Sequence, residues 1–149
     1  MTTFSMEFDS ACFDSADKDG MQRSSQAPIV LAIDDDYDNL VLLGCALEIL
    51  NCEFIGETSG KAALVMAQER QPALILLDVI LPDIHGIDFV HLLKQDQRTA
   101  HIPVIAVTGL ATWEDREQLL AAGFAEYMSK PYMVEDLETL VSRYLPVDR

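Results

Sequence analysis

Asp34 and Asp35 follow directly on the apolar run Ile29-Val30-Leu31-Ala32-Ile33, and Asp78 follows on Ala73-Leu74-Ile75-Leu76-Leu77. Two further runs end in other reactive groups, Pro103-Val104-Ile105-Ala106-Val107 at Thr108 and Ala125-Glu126-Tyr127-Met128 shortly before Lys130. Short unbroken apolar runs fit strands buried on both faces, as in a parallel sheet. Pro82 and Gly86 mark the stretch after Asp78 as a loop, so that aspartate stands where its strand leaves the core. In an open parallel sheet, ligands bind beyond the carboxyl ends of the strands. Three carboxylates gathered there repel one another by about 4 kcal/mol per close pair at an effective dielectric of about 20. Protonation or a cation must relieve that repulsion. Hard oxygen ligands, few in number and open to water, suit Mg²⁺ or Mn²⁺ better than Zn²⁺. A metal-held carboxylate facing a hydroxyl and an ammonium is a receptacle for a phosphoryl group. Asp78 is then the nucleophile, with Thr108 and Lys130 binding the phosphoryl oxygens.

The elements that must position these groups alternate along the chain. After the strand 29–33, Leu40, Leu43, Leu47 and Leu50 recur at helical spacing, and Cys45 within that pattern reads as a small core residue. Glu53-Phe54-Ile55-Gly56-Glu57 alternates and predicts a half-exposed edge strand. Ser59 can cap a helix that turns Ala63, Leu64 and Ala67 inward and stops before Pro72. The Asp78 strand precedes a helix over about 87–94, with Phe89, Val90 and Leu93 buried. Thr112 and Asp115 have capping-box spacing, and Gly123 suits the end of that helix. A last helix carries Val134, Leu137, Val141 and Tyr144 on one face. Five strands alternating with five helices imply an α/β fold, a parallel sheet covered by helices on both sides.

Composition narrows the function. A formal charge of −15 over 149 residues argues against phosphate-backbone binding, so no nucleic-acid partner is expected. No apolar run approaches the roughly 20 residues that span a bilayer, so no membrane partner is expected either. Three cysteines without metal-ligand spacing suit a reducing compartment, and a cytoplasmic location is expected. Residues 1–27 are rich in Ser and Asp, show neither helical nor strand periodicity, and are expected to be a disordered leader ahead of a single domain over 28–149. Asp17-Lys18-Asp19-Gly20 has part of a calcium-loop spacing, but Gln26 stands where the closing Glu would be. His85, His91 and His101 have no ligand spacing and are expected at the surface or in loops.

Taken together, Val30-Leu31-Ala32-Ile33-Asp34-Asp35-Asp36, the loop from Asp78-Val79-Ile80-Leu81-Pro82 to Gly86, Thr108-Gly109, and Tyr127 followed by Lys130-Pro131 resemble the receiver domain of two-component response regulators. The resemblance covers about residues 28–146. It implies a doubly wound, flavodoxin-like sheet of strand order 2-1-3-4-5, with Asp78 as phospho-acceptor. It also implies Mg²⁺ held by Asp34, Asp35, Asp78 and the backbone carbonyl of Ile80. Thr108 and Tyr127 would be the pair that moves on activation, Lys130 the lysine of the motif, and the Lys130–Pro131 bond cis. Tyr37 and Leu40 replace residues that are often proline and arginine in the family, and His85 stands where an acid is common. Asp36 is expected in solvent or as a helix cap.

The expected function is that of a stand-alone receiver, accepting a phosphoryl group from a histidine kinase or phosphotransfer protein. Its own chemistry would be limited to self-phosphorylation from a phosphodonor and slow autodephosphorylation. A downstream protein would read the face of residues 112–122, 125–128 and 133–145. Ile80 and Leu110, both apolar, would border the path of a hydrolytic water and lengthen the phosphorylated state. Two rivals are weighed. Asp34-Asp35-Asp36 superficially fits the DxD of haloacid-dehalogenase-like Mg-dependent phosphatases, although Asp38 stands where that motif wants Thr or Val. The other is a receiver fold acting as a phosphorylation-independent scaffold.

Overall fold

The computed structural model describes residues 5–7, 27–109 and 112–146. Most of the expected leader, including its calcium-loop fragment, lies outside the described residues, as does Leu110. In chain order the elements are β1 (Ser5–Glu7), β2 (Ile29–Ile33), α1 (Tyr37–Ala46), β3 (Glu53–Glu57), α2 (Gly60–Arg70), β4 (Leu74–Leu77), α3 (Gly86–Gln95), β5 (Val104–Thr108), α4 (Trp113–Ala122), β6 (Glu126–Ser129) and α5 (Val134–Ser142). The sheet order is β1-β3-β2-β4-β5-β6. Without β1 this is the expected parallel 2-1-3-4-5.

Side-chain direction alternates along each strand, and here both faces are covered, so alternate residues feed two cores. Leu31, Ile33, Ile55, Ile75 and Leu77 pack under α2 and α3 with Ala63, Ala67, Phe89 and Leu93. Val30, Ala32, Phe54, Leu74 and Leu76 pack under α1 and α5 with Leu40, Leu43, Leu137 and Val141. Each fully buried Leu or Ile of this kind stabilises the fold by about 1.5–3 kcal/mol.

Four expectations need correction. Ser5–Glu7, within the stretch that shows no periodicity, forms a strand antiparallel to β3 with Ser5 opposite Glu57. Consequently β3 is not the edge, and Phe54 through Glu57 are buried rather than half-exposed. Its alternation separates one core from the other, not core from solvent. Cys45 is exposed and Cys52 is the buried thiol, pushed up to about 11 by burial. The first helix also ends at Ala46, short of Leu50.

Local signals fix the helix starts. The Asp36 carboxylate accepts from the Asp38 N–H, and Ser59 accepts from Ala62 N–H. His85, exposed at the loop end, accepts the Ile87 N–H on Nδ1. Thr112 and Asp115 form the expected capping box. Gly86 must be glycine for a reason of space, since a Cβ there would lie 2.8 Å from Val79 Cα.

Candidate functional site

The sheet ladder runs one residue past several strands and sets the site at their carboxyl ends. Asp34 N–H donates to the Glu57 carbonyl (3.1 Å), Asp78 N–H to Ile33 (2.9 Å) and Lys130 N–H to Thr108 (2.9 Å). Backbone pairing alone therefore places Asp34, Asp78, Thr108 and Lys130 on adjacent strand ends. Lys130 Nζ donates to Asp34 Oδ2 at 2.8 Å and to Asp78 Oδ2 at 3.3 Å. Carboxylate oxygens of Asp34, Asp35 and Asp78 lie within 4.8 Å of one another. Asp34 is buried, with Oδ1 accepting from Asp36 N–H (2.9 Å) and Oδ2 from Asn39 Nδ2 (3.2 Å). Asp78 is reached by solvent, its side chain 14% exposed, and its Oδ1 accepts from Ile80 N–H at 3.2 Å. Ile80 is half-exposed beside it.

Two carboxylates and one ammonium at hydrogen-bond distance leave the cluster net negative, with Asp35 adding a third carboxylate at the rim. Burial raises the Asp78 carboxyl above the usual carboxylate range; the Asp34 charge adds to that rise and Lys130 opposes it. Burial alone would lower Lys130, but hydrogen bonding and the charges of Asp34 and Asp78 outweigh it and hold the ammonium above its ordinary value. The donor set is all hard oxygen, open on one side and short of positive charge. It fits a small divalent cation.

Thr108 is buried at the end of β5 and Tyr127 is half-buried in the paired strand β6. The Tyr127 hydroxyl is buried and meets no hydrogen-bond partner among the described residues. Burial and the charge of Asp115 raise its pKa, against a smaller opposing effect of Arg116. An unpaired buried hydroxyl costs about 1–3 kcal/mol. Tyr127→Phe should accordingly stabilise the resting domain by about 1 kcal/mol, read as a higher melting temperature; an unchanged or lower one would contradict this placement. Lys130–Pro131 is cis, as the resemblance implies.

Sequence reading missed two residues. Asn39 supports Asp34 from the first turn of α1. Asp83 reaches back to the start of α2, where its carboxylate accepts from Gly60 N–H (3.1 Å), Lys61 N–H (3.0 Å) and Ser59 Oγ (2.9 Å). An acid just after Pro82 suits a turn, and nothing local points to its partners, which lie more than twenty positions away.

Comparison with known proteins agrees with this fold. The sequence pattern of the response regulator receiver domain matches residues 30–142. The polar-differentiation response regulator DivK of Brucella ovis is 37% identical over 116 residues, spanning 78% of this chain and 94% of that protein. A response regulator from Desulfuromonas acetoxidans superposes with a TM-score of 0.72 at 30% identity, over 78% of this chain and 94% of its own. The chemotaxis protein CheY4 of Vibrio cholerae gives 0.74 at 25% identity, over 80% and 99%. With its sheet order, its acidic strand ends and these matches, the chain belongs to the receiver-domain family of response regulators.

Proposed function

We propose that Asp78 is the residue phosphorylated in this receiver, in a site completed by Mg²⁺ on Asp34, Asp35, Asp78 and the carbonyl of Ile80. The observation that carries the reading is Lys130 Nζ bridging Asp34 and Asp78, the one a buried anchor and the other open to solvent. An ionised Asp78 oxygen attacks the phosphorus of a donor phosphohistidine or small acyl phosphate. The new P–O bond forms as the bond to the donor breaks, and the donor leaves with its electron pair and is protonated from solvent. Lys130 and the Thr108 hydroxyl take phosphoryl oxygens, and a bound dication supplies charge neutralisation.

The haloacid-dehalogenase reading would need Asp36 in the pocket. Its carboxylate instead accepts from the Asp38 N–H, at the cap of α1. Incubation with acetyl phosphate and Mg²⁺ followed by peptide mass mapping tests the assignment. A phosphoryl group on Asp78 is expected; one on Asp34 would favour the phosphatase, and none at all the scaffold.

Partners follow from the surface. A groove of about 540 Å³ between α1 and α5 has Leu42, Ala46, Val107 and Val134 in its wall, along with Asp34 and Lys130. An apolar face ending at the reacting groups supports docking of a histidine kinase or phosphotransfer protein there. The output is read on α4, β6 and α5. Leu119 is the one buried residue of α4, and Trp113 stands 67% exposed at its start, so this helix is lightly held. No helix among the described residues is long and apolar enough to cross a membrane. Three cysteines without metal-ligand spacing suit a reducing compartment, and we assign the protein to the cytoplasm.

Ile80 offers no group to orient a water near Asp78. In Ile80→Asn, phosphate release from the purified phosphoprotein should quicken by about tenfold, the equivalent of about 1.4 kcal/mol of barrier; a rate equal to wild type would refute that role.

A further inference from the structure

We propose that Asp83 is a positioning residue for the chemistry at Asp78, acting by tying the loop of residues 79–85 to the first turn of α2. The inference rests on the reading of Asp78 and its metal given above. The N–H groups of Gly60, Lys61 and Ala62 open that helix and have no carbonyl within it to bond. Ala62 N–H is taken by Ser59 Oγ at 3.1 Å, while Gly60 and Lys61 donate to Asp83. Ser59 Oγ also donates to Asp83 Oδ2, so one carboxylate from a distant loop closes the helix start. Gly60 fits the loop closely. A Cβ added there would collide with the Ile84 side chain and approach Leu81 at 3.2 Å.

Helix capping alone would explain the bonds, but not why the cap is supplied by this loop. Among the described residues, Asp83 is the only side chain of this loop with a hydrogen bond to an element other than α3, the helix the loop leads into. At its start the loop contacts the site directly, Ile80 N–H meeting Asp78 Oδ1, and Gly86 N–H closes on the Val79 carbonyl at 2.8 Å. Between those two points Val79 and Leu81 are buried, Ile80 faces solvent and Pro82 interrupts the N–H donors. The Asp83 anchor thus decides whether the Ile80 backbone keeps its place against Asp78. Burial opposes ionisation of Asp83, but the Lys61, Gly60 and Ser59 donors outweigh it and lower its pKa, so the anchor is charged at neutral pH.

Groups hydrogen-bonded directly to a metal ligand change metal affinity by about 10–100-fold when lost, and Asp83 acts one step further out, through the loop backbone. The test uses the full chain as wild type, Asp83→Ala, Asp83→Asn, Ser59→Ala and the Ser59→Ala/Asp83→Ala pair. Two quantities are read: amide hydrogen exchange of residues 79–86 in EDTA, and Mg²⁺ affinity by calorimetry. Asp83→Ala should speed exchange across the loop and weaken Mg²⁺ by about tenfold. Asp83→Asn, keeping one acceptor oxygen, should fall between it and wild type. Ser59→Ala should add little to Asp83→Ala, because both act through one contact. Faster exchange with wild-type Mg²⁺ affinity would leave Asp83 a helix cap only and overturn the proposal, as would unchanged exchange. Wild-type protein that binds no Mg²⁺ would overturn the reading of the acid cluster itself, and with it the role of its support.

Discussion

Replacing Lys130 with Ala should slow phosphorylation from acetyl phosphate by about a hundredfold or more, the usual loss when one preorganised donor to developing charge is removed. Stability should fall as well. Among the described residues Lys130 is the only cation bonded to Asp34, whose side chain is 4% exposed. Removing one partner of a fully buried pair costs about 3–5 kcal/mol. Lys130 itself is 26% exposed, so water partly screens what is left behind. A loss of about 2–3 kcal/mol in the metal-free protein follows, seen as a melting temperature lower by roughly 5–10 °C. Adding Asp34→Asn to Lys130→Ala removes the stranded charge and should restore much of that stability, though not the rate. A Lys130→Ala protein that melts with wild type would mean the ammonium contributes nothing to holding Asp34.

Magnesium should stabilise the domain, and by more at pH 7.5 than at pH 4.5. The sign follows from Asp78, whose carboxyl titrates above its ordinary value because of burial and Asp34, with Lys130 opposing. Between the unfolded carboxylate range and the raised folded value, the folded metal-free protein binds more protons than the unfolded one. Its stability from this group therefore declines as pH rises through that window. Metal binding needs the ionised form, so the cation competes with the proton there and wins increasingly as pH rises. At about ten times its dissociation constant, Mg²⁺ should contribute about 1.4 kcal/mol, or roughly 3–5 °C in the melting temperature. Asp35→Asn should raise the metal-free melting temperature and shrink the Mg²⁺ increment. Melting curves that ignore millimolar Mg²⁺ at both pH values would show that the three carboxylates do not form a cation site.

What the sequence showed clearly was local or strictly periodic. The apolar runs before Asp34, Asp78 and Thr108 are buried strands, and the Thr112–Asp115 cap sits where its spacing places it. The clustering of Asp34, Asp35, Asp78 and Lys130 was legible because a parallel sheet turns strand ends into neighbours without further information. Cys45 could have been read better. It lies two residues from both Leu43 and Leu47, about 200° around a helix from each, and so opposite the apolar stripe. Asn39 and Asp83 were hidden for a different reason. Their value comes from hydrogen bonds to groups whose positions only the folded chain defines, across 23 residues in the contact of Asp83 with Gly60. The burial of β3 escaped because an alternating pattern cannot say whether its second face meets water or another core.

The antiparallel strand at the sheet margin has a consequence for the order in which the sheet is built. Of the described strands Ser5–Glu7 is synthesised first, yet its seat on β3 is about fifty residues downstream. It must wait, unpaired, while β2 and β3 are made and joined through α1. Parallel pairing of β2 with β3 closes a much shorter loop than the pairing of β1 with β3. Loop-closure entropy favours the shorter one first. The earliest of the described strands is thereby the last of its neighbourhood to dock, joining an edge that the rest of the sheet has already shaped.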